Sequence, residues 1–140
     1  MSFDPYIHFQ GNCAAAMEFY ADLFGGELSM MRYGEMPVEE RQGPLSEAGA
    51  KRIMHASLVI GNRSLMASDW PEGAEGGPQA SVSISHAEPT RAKARAIYDA
   101  LSEDAREVMM PFGDTFFADG FGMLRDRFGT AWMIMGPVKM

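Results

Sequence analysis

The apolar residues of this 140-residue chain change period in the same order twice, and that repetition restricts the fold more than any single motif does. Phe3 to Gln10 alternates apolar and polar residues, as a half-buried strand does. "GNCAAAMEFYADLFGG" follows, with Asn12 as an N-cap, a helical run and glycines that stop it. Glu27 to Tyr33 reads as a strand and Gly34 to Ala50 as a loop rich in Pro, Gly and Glu. "KRIMHASLVIGNRSLMASD" reads as two strands joined at Ile60-Gly61-Asn62-Arg63. The first half is therefore βαβββ.

After "WPEGAEGGP" the order starts again, so the chain is expected to comprise module one at 1–69, a linker at 70–78 and module two at 79–140. "QASVSISH" alternates as a strand, "AEPTRAKARAIYDALSE" is a helix with Pro89 in its first turn, and Glu107 to Pro111 is a short strand. Gly113 to Gly120 reads as a loop. Phe121 to Phe128 and Ala131 to Met135 form a hairpin around "DRFG". The expected fold is α+β, with two βαβββ modules pairing curved mixed sheets around a cleft, each sheet covered by one helix. A ligand is expected in that cleft.

A net charge of −7 leaves no basic face to neutralise phosphates, so neither nucleic acid nor an anionic membrane is an expected partner. The longest uncharged apolar runs are too short to span a bilayer, and "MSFDPYIHFQ" lacks the regions of a signal peptide, which points to the cytoplasm. Cys13 is the only cysteine, which excludes an intrachain disulfide and a cysteine-cluster metal site. It is read as a small residue at the start of a helix.

The layout, with "PYIHFQGN", "GNCAAAMEFYADLFGGE", "IMHASLVIGN", "LMASD" and "DTFFADGFGMLRDRFGTAWMI" in that order, resembles the vicinal oxygen chelate superfamily of glyoxalases, bleomycin-resistance proteins and extradiol dioxygenases. Within it these segments are similar to the PhnB-like branch, often labelled 3-demethylubiquinone 3-methyltransferase-like. The resemblance covers nearly the whole chain and implies a homodimer. It also implies a divalent metal held by one side chain from the first and fourth strands of each module, typically His or Glu. Those positions fall here on Asp4 or Pro5, Leu65 or Met66, Gln79 or Ala80, and Met133. One carboxylate, one amide and two thioethers are a poor set for a hard or borderline ion, so no metal and no cofactor are expected. The methyltransferase label also lacks its sequence support. "FGGE", "EGG" and "GFG" do not stand as a Gly-rich turn between a strand and a helix.

The candidate ligand-binding residues come from strand phase. Tyr6 and His8 share one face of the first strand with Asp4 and Gln10. Ser81 and Ser83 share the equivalent face of the fifth strand with Gln79 and Ser85. His55 and Ser57 are in phase on the third strand, and Ser68 lies in "LMASD". Phe116 and Asp119 lie in the loop "FGDTFFADG", read as either a lid or pocket wall or a dimer contact, and Met133 completes the set. Asp69 and Trp70 form either a rim or an ordinary turn, and His86 reads as surface. No nucleophile elbow is present, and Cys13 has no evident base. The expected function is metal-independent small-molecule binding. The alternatives are a metal-dependent enzyme using an unconventional set such as Asp4, His8 and His55, and an interaction domain with a vestigial cleft.

Overall fold

The computed structural model describes residues 3–41, 43–77 and 80–139. The chain divides into two compact units after residue 78. In the first, β1 (Tyr6–Phe9) leads to α1 (Cys13–Phe24) and β2 (Glu27–Arg32). The short helix α2 (Glu47–Lys51) then precedes β3 (Ile53–Ile60) and β4 (Arg63–Asp69). The second runs β5 (Ile84–Ala87), α3 (Arg91–Ser102), β6 (Glu107–Gly113), β7 (Phe121–Arg125) and β8 (Ala131–Met135). The sheets have the same topology, β1-β4-β3-β2 and β5-β8-β7-β6, with the first strand of each unit parallel to its fourth. The α+β class and the doubled βαβββ order expected from the sequence are both present.

Each sheet is covered on one face because its helix has one apolar stripe. On α1, Cys13, Ala16, Met17 and Tyr20 recur at i, i+3, i+4 and i+7, and all are fully buried. They pack against alternate residues of the sheet, Ile7, Phe9, Ala56, Leu58 and Ala67, which the register keeps on one side. Burial of each larger side chain contributes roughly 1.5–3 kcal/mol. On α3 the stripe is Ala94, Tyr98 and Leu101, and the facing strands supply Leu124, Trp132 and Ile134. Tyr98 lies so close over β7 that a Cβ on Gly122 would stand 2.5 Å from its ring, so this strand position accepts only glycine without a shift.

Several local expectations change. The Gly34–Ala50 segment is not an unstructured loop. It holds 3₁₀ turns at Tyr33–Glu35 and Val38–Glu40, then α2, whose N-cap Ser46 accepts a hydrogen bond from Gly49 N at 2.9 Å. Asn12 stands at the N-cap of α1 but makes no capping bond; its Oδ1 accepts from Gln10 N at 3.4 Å. Pro89 precedes the true N-cap of α3, Thr90, whose hydroxyl accepts from Lys93 N at 3.2 Å. The strand expected from Gln79 begins only at Ile84, so Ser81 and Ser83 lie ahead of it; Gln79 is outside the described residues. The reason is the partner strand. Ile84 pairs with Trp132, and just before β8 the chain turns through Asp126–Thr130, which leaves little ladder for residues 81–83.

Candidate functional site

The face of the first sheet turned away from α1 carries the polar residues that alternate with its core. Ile7 and Phe9 point into the core, so Tyr6 and His8 point the other way. Parallel pairing sets Tyr6 beside Met66 and His8 beside Ser68. Antiparallel pairing sets Ser57 beside Met66, and His55 beside Met31 on β2. The structure thus brings Tyr6, His8, His55, Ser57 and Ser68 onto one surface.

The side chains on that surface interact directly. Tyr6 Oη lies 3.2 Å from His55 Nδ1, within hydrogen-bond reach. The Tyr6 ring is 5.1 Å from His8, and His8 stacks on Trp70 at 4.3 Å with 13° between the planes. His8 Nδ1 is buried without a hydrogen-bond partner among the described residues, as is Gln10 Oε1. An unpaired buried polar atom costs about 1–3 kcal/mol and calls for a functional explanation. The positions sharing this face on β1, β3 and β4 include no Asp or Glu and offer hydroxyls and imidazoles, while β2 places Glu27 beside Val59 on the same face.

Asp69 holds this arrangement in place from behind. It is 2% exposed; Oδ1 accepts from Gly11 N at 2.9 Å and Cys13 N at 3.0 Å, and Oδ2 accepts from Ile53 N at 2.9 Å. Its backbone carbonyl accepts from Tyr33 Oη at 2.9 Å. Asp69 therefore caps α1 and joins it to β3 and β4. It is neither a rim residue nor a simple turn former. Trp70, next in sequence, is the residue that reaches the polar face.

Burial pushes the Cys13 thiol pKa up, and the neighbouring Asp69 carboxylate adds to the effect. The folded state holds this proton more tightly than the unfolded chain does. The stability it contributes is full below the ordinary thiol range and falls as pH rises above about 8.5. Cys13 is expected to resist iodoacetamide in the native protein at neutral pH and to react once denaturant unfolds the chain. Mass spectrometry of the alkylated protein reads the difference.

The second unit holds the other candidates apart from one another. Met133 pairs with Ser85 and with Met123, which pairs in turn with Met110, so a row of three methionines crosses the face turned away from α3. Ser81 is exposed and Ser83 partly so. Phe116 is 92% exposed and meets Phe117 edge-on at 5.3 Å, while Asp119 pairs with Arg91 at 3.2 Å. His86 is not simply a surface residue: it bonds Glu88 and is only partly exposed.

Comparison with known proteins places this geometry. The model of the Glyoxalase/Bleomycin resistance protein/Dioxygenase superfamily matches residues 2–134. The chain belongs to that superfamily. It is 29% identical to protein YjdN of Escherichia coli (strain K12) over 141 residues, covering 96% of this chain and 94% of that one. The crystal structure of protein PA1353 from Pseudomonas aeruginosa superposes with a TM-score of 0.86 at 38% identity, covering 98% of both chains. A Bacillus cereus PhnB protein, provisionally described as a 3-demethylubiquinone-9 3-methyltransferase, shares the fold with a TM-score of 0.76. Its identity is 22%, with 97% of this chain and 99% of that one covered.

Membership in the glyoxalase/bleomycin resistance superfamily raises the question of a metal, and the residues present do not fit one. The residue beside Met66 on β1 is Tyr6, neither Asp4 nor Pro5, and the residue beside Met133 on β5 is Ser85. Phenol, hydroxyl and thioether groups are a poor donor set for a divalent ion. Asp4 is engaged elsewhere, accepting from Arg63 Nε at 3.1 Å and Ser64 N at 3.4 Å. Among the described residues no three His, Cys, Asp or Glu side chains converge as a metal site needs.

Strand phase was enough to select Tyr6, His8, His55 and Ser57. Trp70 and Asp69 needed more. Asp69 is the last residue of β4, paired with Phe9 of β1, and Trp70 follows it; parallel pairing between strands about sixty residues apart leaves no local mark on the sequence. No helix among the described residues is long and apolar enough to cross a membrane.

Proposed function

We infer that the first unit is a metal-independent binding site for a small planar molecule, seated on the face of its sheet turned away from α1. The observation that carries this reading is the stacked His8–Trp70 pair beside the Tyr6–His55 hydrogen bond. Together they form an aromatic strip with polar groups along its edge. Ser57 and Ser68 add hydroxyls on the same face, and β1, β3 and β4 contribute no carboxylate to it. Such a surface suits an aromatic ligand whose polar edge is a carbonyl or an oxyanion, because hydroxyl and imidazole donors from these strands meet it. A cytoplasmic homodimer fits the same reading, and the exposed Val108 and Met109 on edge strand β6 support a partner there.

The test is a titration with substituted benzoates and naphthols, read by tryptophan fluorescence and by calorimetry. Trp132 is buried and hydrogen-bonded to Asp126, so a ligand on this face quenches mainly Trp70. Saturable quenching is expected. His8→Ala and Tyr6→Phe should each weaken binding, together by tenfold or more, or about 1.4 kcal/mol. Quenching that never saturates, or calorimetric affinity untouched by both changes and by Trp70→Phe, would reject the reading.

The Tyr6–His55 contact also favours a second reading, an acid–base enzyme in which the phenol hydroxyl and the imidazole relay a proton to a bound ligand. Which partner donates in the resting state depends on the histidine tautomer. Tyr6→Phe separates the two readings. It removes the relay and abolishes turnover of any substrate found, while stacking keeps most of the binding.

A further inference from the structure

The connection between β2 and β3 runs through residues 33–52, far longer than an antiparallel pair needs. It borders an open pocket of about 420 Å³ in the first unit, within the range of small-molecule sites. Its apolar walls include Tyr33, Met36, Leu45 and Pro71, and its acidic groups are Glu40 and Glu72.

The walls are held by specific bonds. Arg41 donates from Nε to Met36 O at 3.1 Å and from Nη2 to Gly34 O at 2.9 Å, so its guanidinium is held against its own loop while keeping its charge. Ser46 Oγ donates to Glu72 at 3.0 Å while accepting from Gly49 N, which fixes that carboxylate to the start of α2. Tyr33 is tied to the Asp69 carbonyl. Among the described residues Glu40 has no side-chain hydrogen bond or ion pair, and Glu72 has only Ser46. Two exposed carboxylates thus line this pocket with one guanidinium that pairs with neither among the described residues, which leaves the pocket net negative in a chain of net charge −7. Ammonium is the chemistry that complements both carboxylates, and the Tyr33 ring adds a face that attracts cations.

We propose that this pocket is a binding site for a small organic amine with an apolar body. The ammonium group meets Glu40 and Glu72, and the hydrocarbon lies against Tyr33, Met36 and Leu45. The site is separate from the polar face of the sheet and does not depend on the function inferred for it.

The experiment titrates the full chain with 2-phenylethylammonium, and with 2-phenylethanol and 3-phenylpropionate as neutral and anionic counterparts. Calorimetry gives affinity, and amide chemical shifts of Gly43, Leu45 and Gly49 give location. Saturable binding that moves those amides is expected, with the amine at least tenfold tighter than the alcohol and the carboxylate weaker still. Glu40→Gln and Glu72→Gln should each reduce the amine's advantage and together remove it, with Tyr6→Phe and His55→Ala without effect. Because Glu72 also anchors Ser46, Glu40→Gln serves as the variant that leaves the loop bonds intact. Equal affinity for amine and alcohol, no saturable binding, or shifts confined to the sheet face would each overturn the proposal.

Discussion

Asp69→Asn is expected to destabilise the protein by about 2–4 kcal/mol, although it changes only one atom of a buried side chain. The native carboxylate receives three backbone N–H groups, two on Oδ1 and one on Oδ2. An asparagine has one acceptor oxygen and one amide. If the oxygen faces Gly11 and Cys13, the NH₂ points at Ile53 N–H; if it is turned round, the NH₂ points at the other two. Either way a donor faces a donor in a site that is 2% exposed. The lost cap of α1 adds to the cost, because a carboxylate at a helix N-terminus also meets the positive end of its dipole. Urea unfolding followed by circular dichroism reads the change. Asp69→Ala should be at least as damaging, and a loss under about 1 kcal/mol in both variants would contradict this account.

A comparable loss, about 2–3 kcal/mol, is expected for Asp126→Asn in the second unit. Asp126 is 1% exposed; Oδ1 accepts from Phe128 N at 2.9 Å and Thr130 N at 3.0 Å, and Oδ2 accepts from Trp132 Nε1 at 2.9 Å. This carboxylate closes the turn between β7 and β8 and anchors the indole under α3. Asparagine again sets its NH₂ against an N–H. The distinguishing readout is spectroscopic: loss of the indole hydrogen bond should shift Trp132 emission, which Asp69→Asn leaves in place. Trp132→Phe removes one donor from the set and should reduce the penalty of Asp126→Asn, a coupling measurable by a double-mutant cycle.

These two aspartates mark where reading the sequence succeeds and where it stops. "DRFG" declares Asp126 locally, since the bonds of its carboxylate to Phe128, Thr130 and Trp132 reach no more than six residues along the chain. Asp69 closes bonds to Gly11 and Cys13, 58 and 56 residues away, and nothing in "LMASDW" marks that reach. Asn12 shows the same limit from the other side. It is a good N-cap type at the right position, yet a distant carboxylate takes the duty and leaves Asn12 bonded to Gln10.

The candidate site divides in the same way. Alternation in "YIHF" and "HASL" places Tyr6, His8, His55 and Ser57 on the polar face without any structure, because strand side chains alternate wherever one face is buried. The same alternation misplaces Ser81 and Ser83, since a period of two is a property of the residues whereas a strand also needs a partner. The stacking of His8 on Trp70 and the bond from Tyr6 to His55 span strands that meet only through the order β1-β4-β3.

By itself the sequence determined the doubled βαβββ order, the buried stripe of each helix and the lack of a carboxylate or imidazole at Met133. Each of these depends on the identity and spacing of neighbouring residues. Only the tertiary structure decided which carboxylates are keystones, that the β2–β3 connection borders a pocket, and which residue faces Met66. Those outcomes depend on strand register and on long-range closure, where the gain comes from burying polar groups with partners far away in the chain.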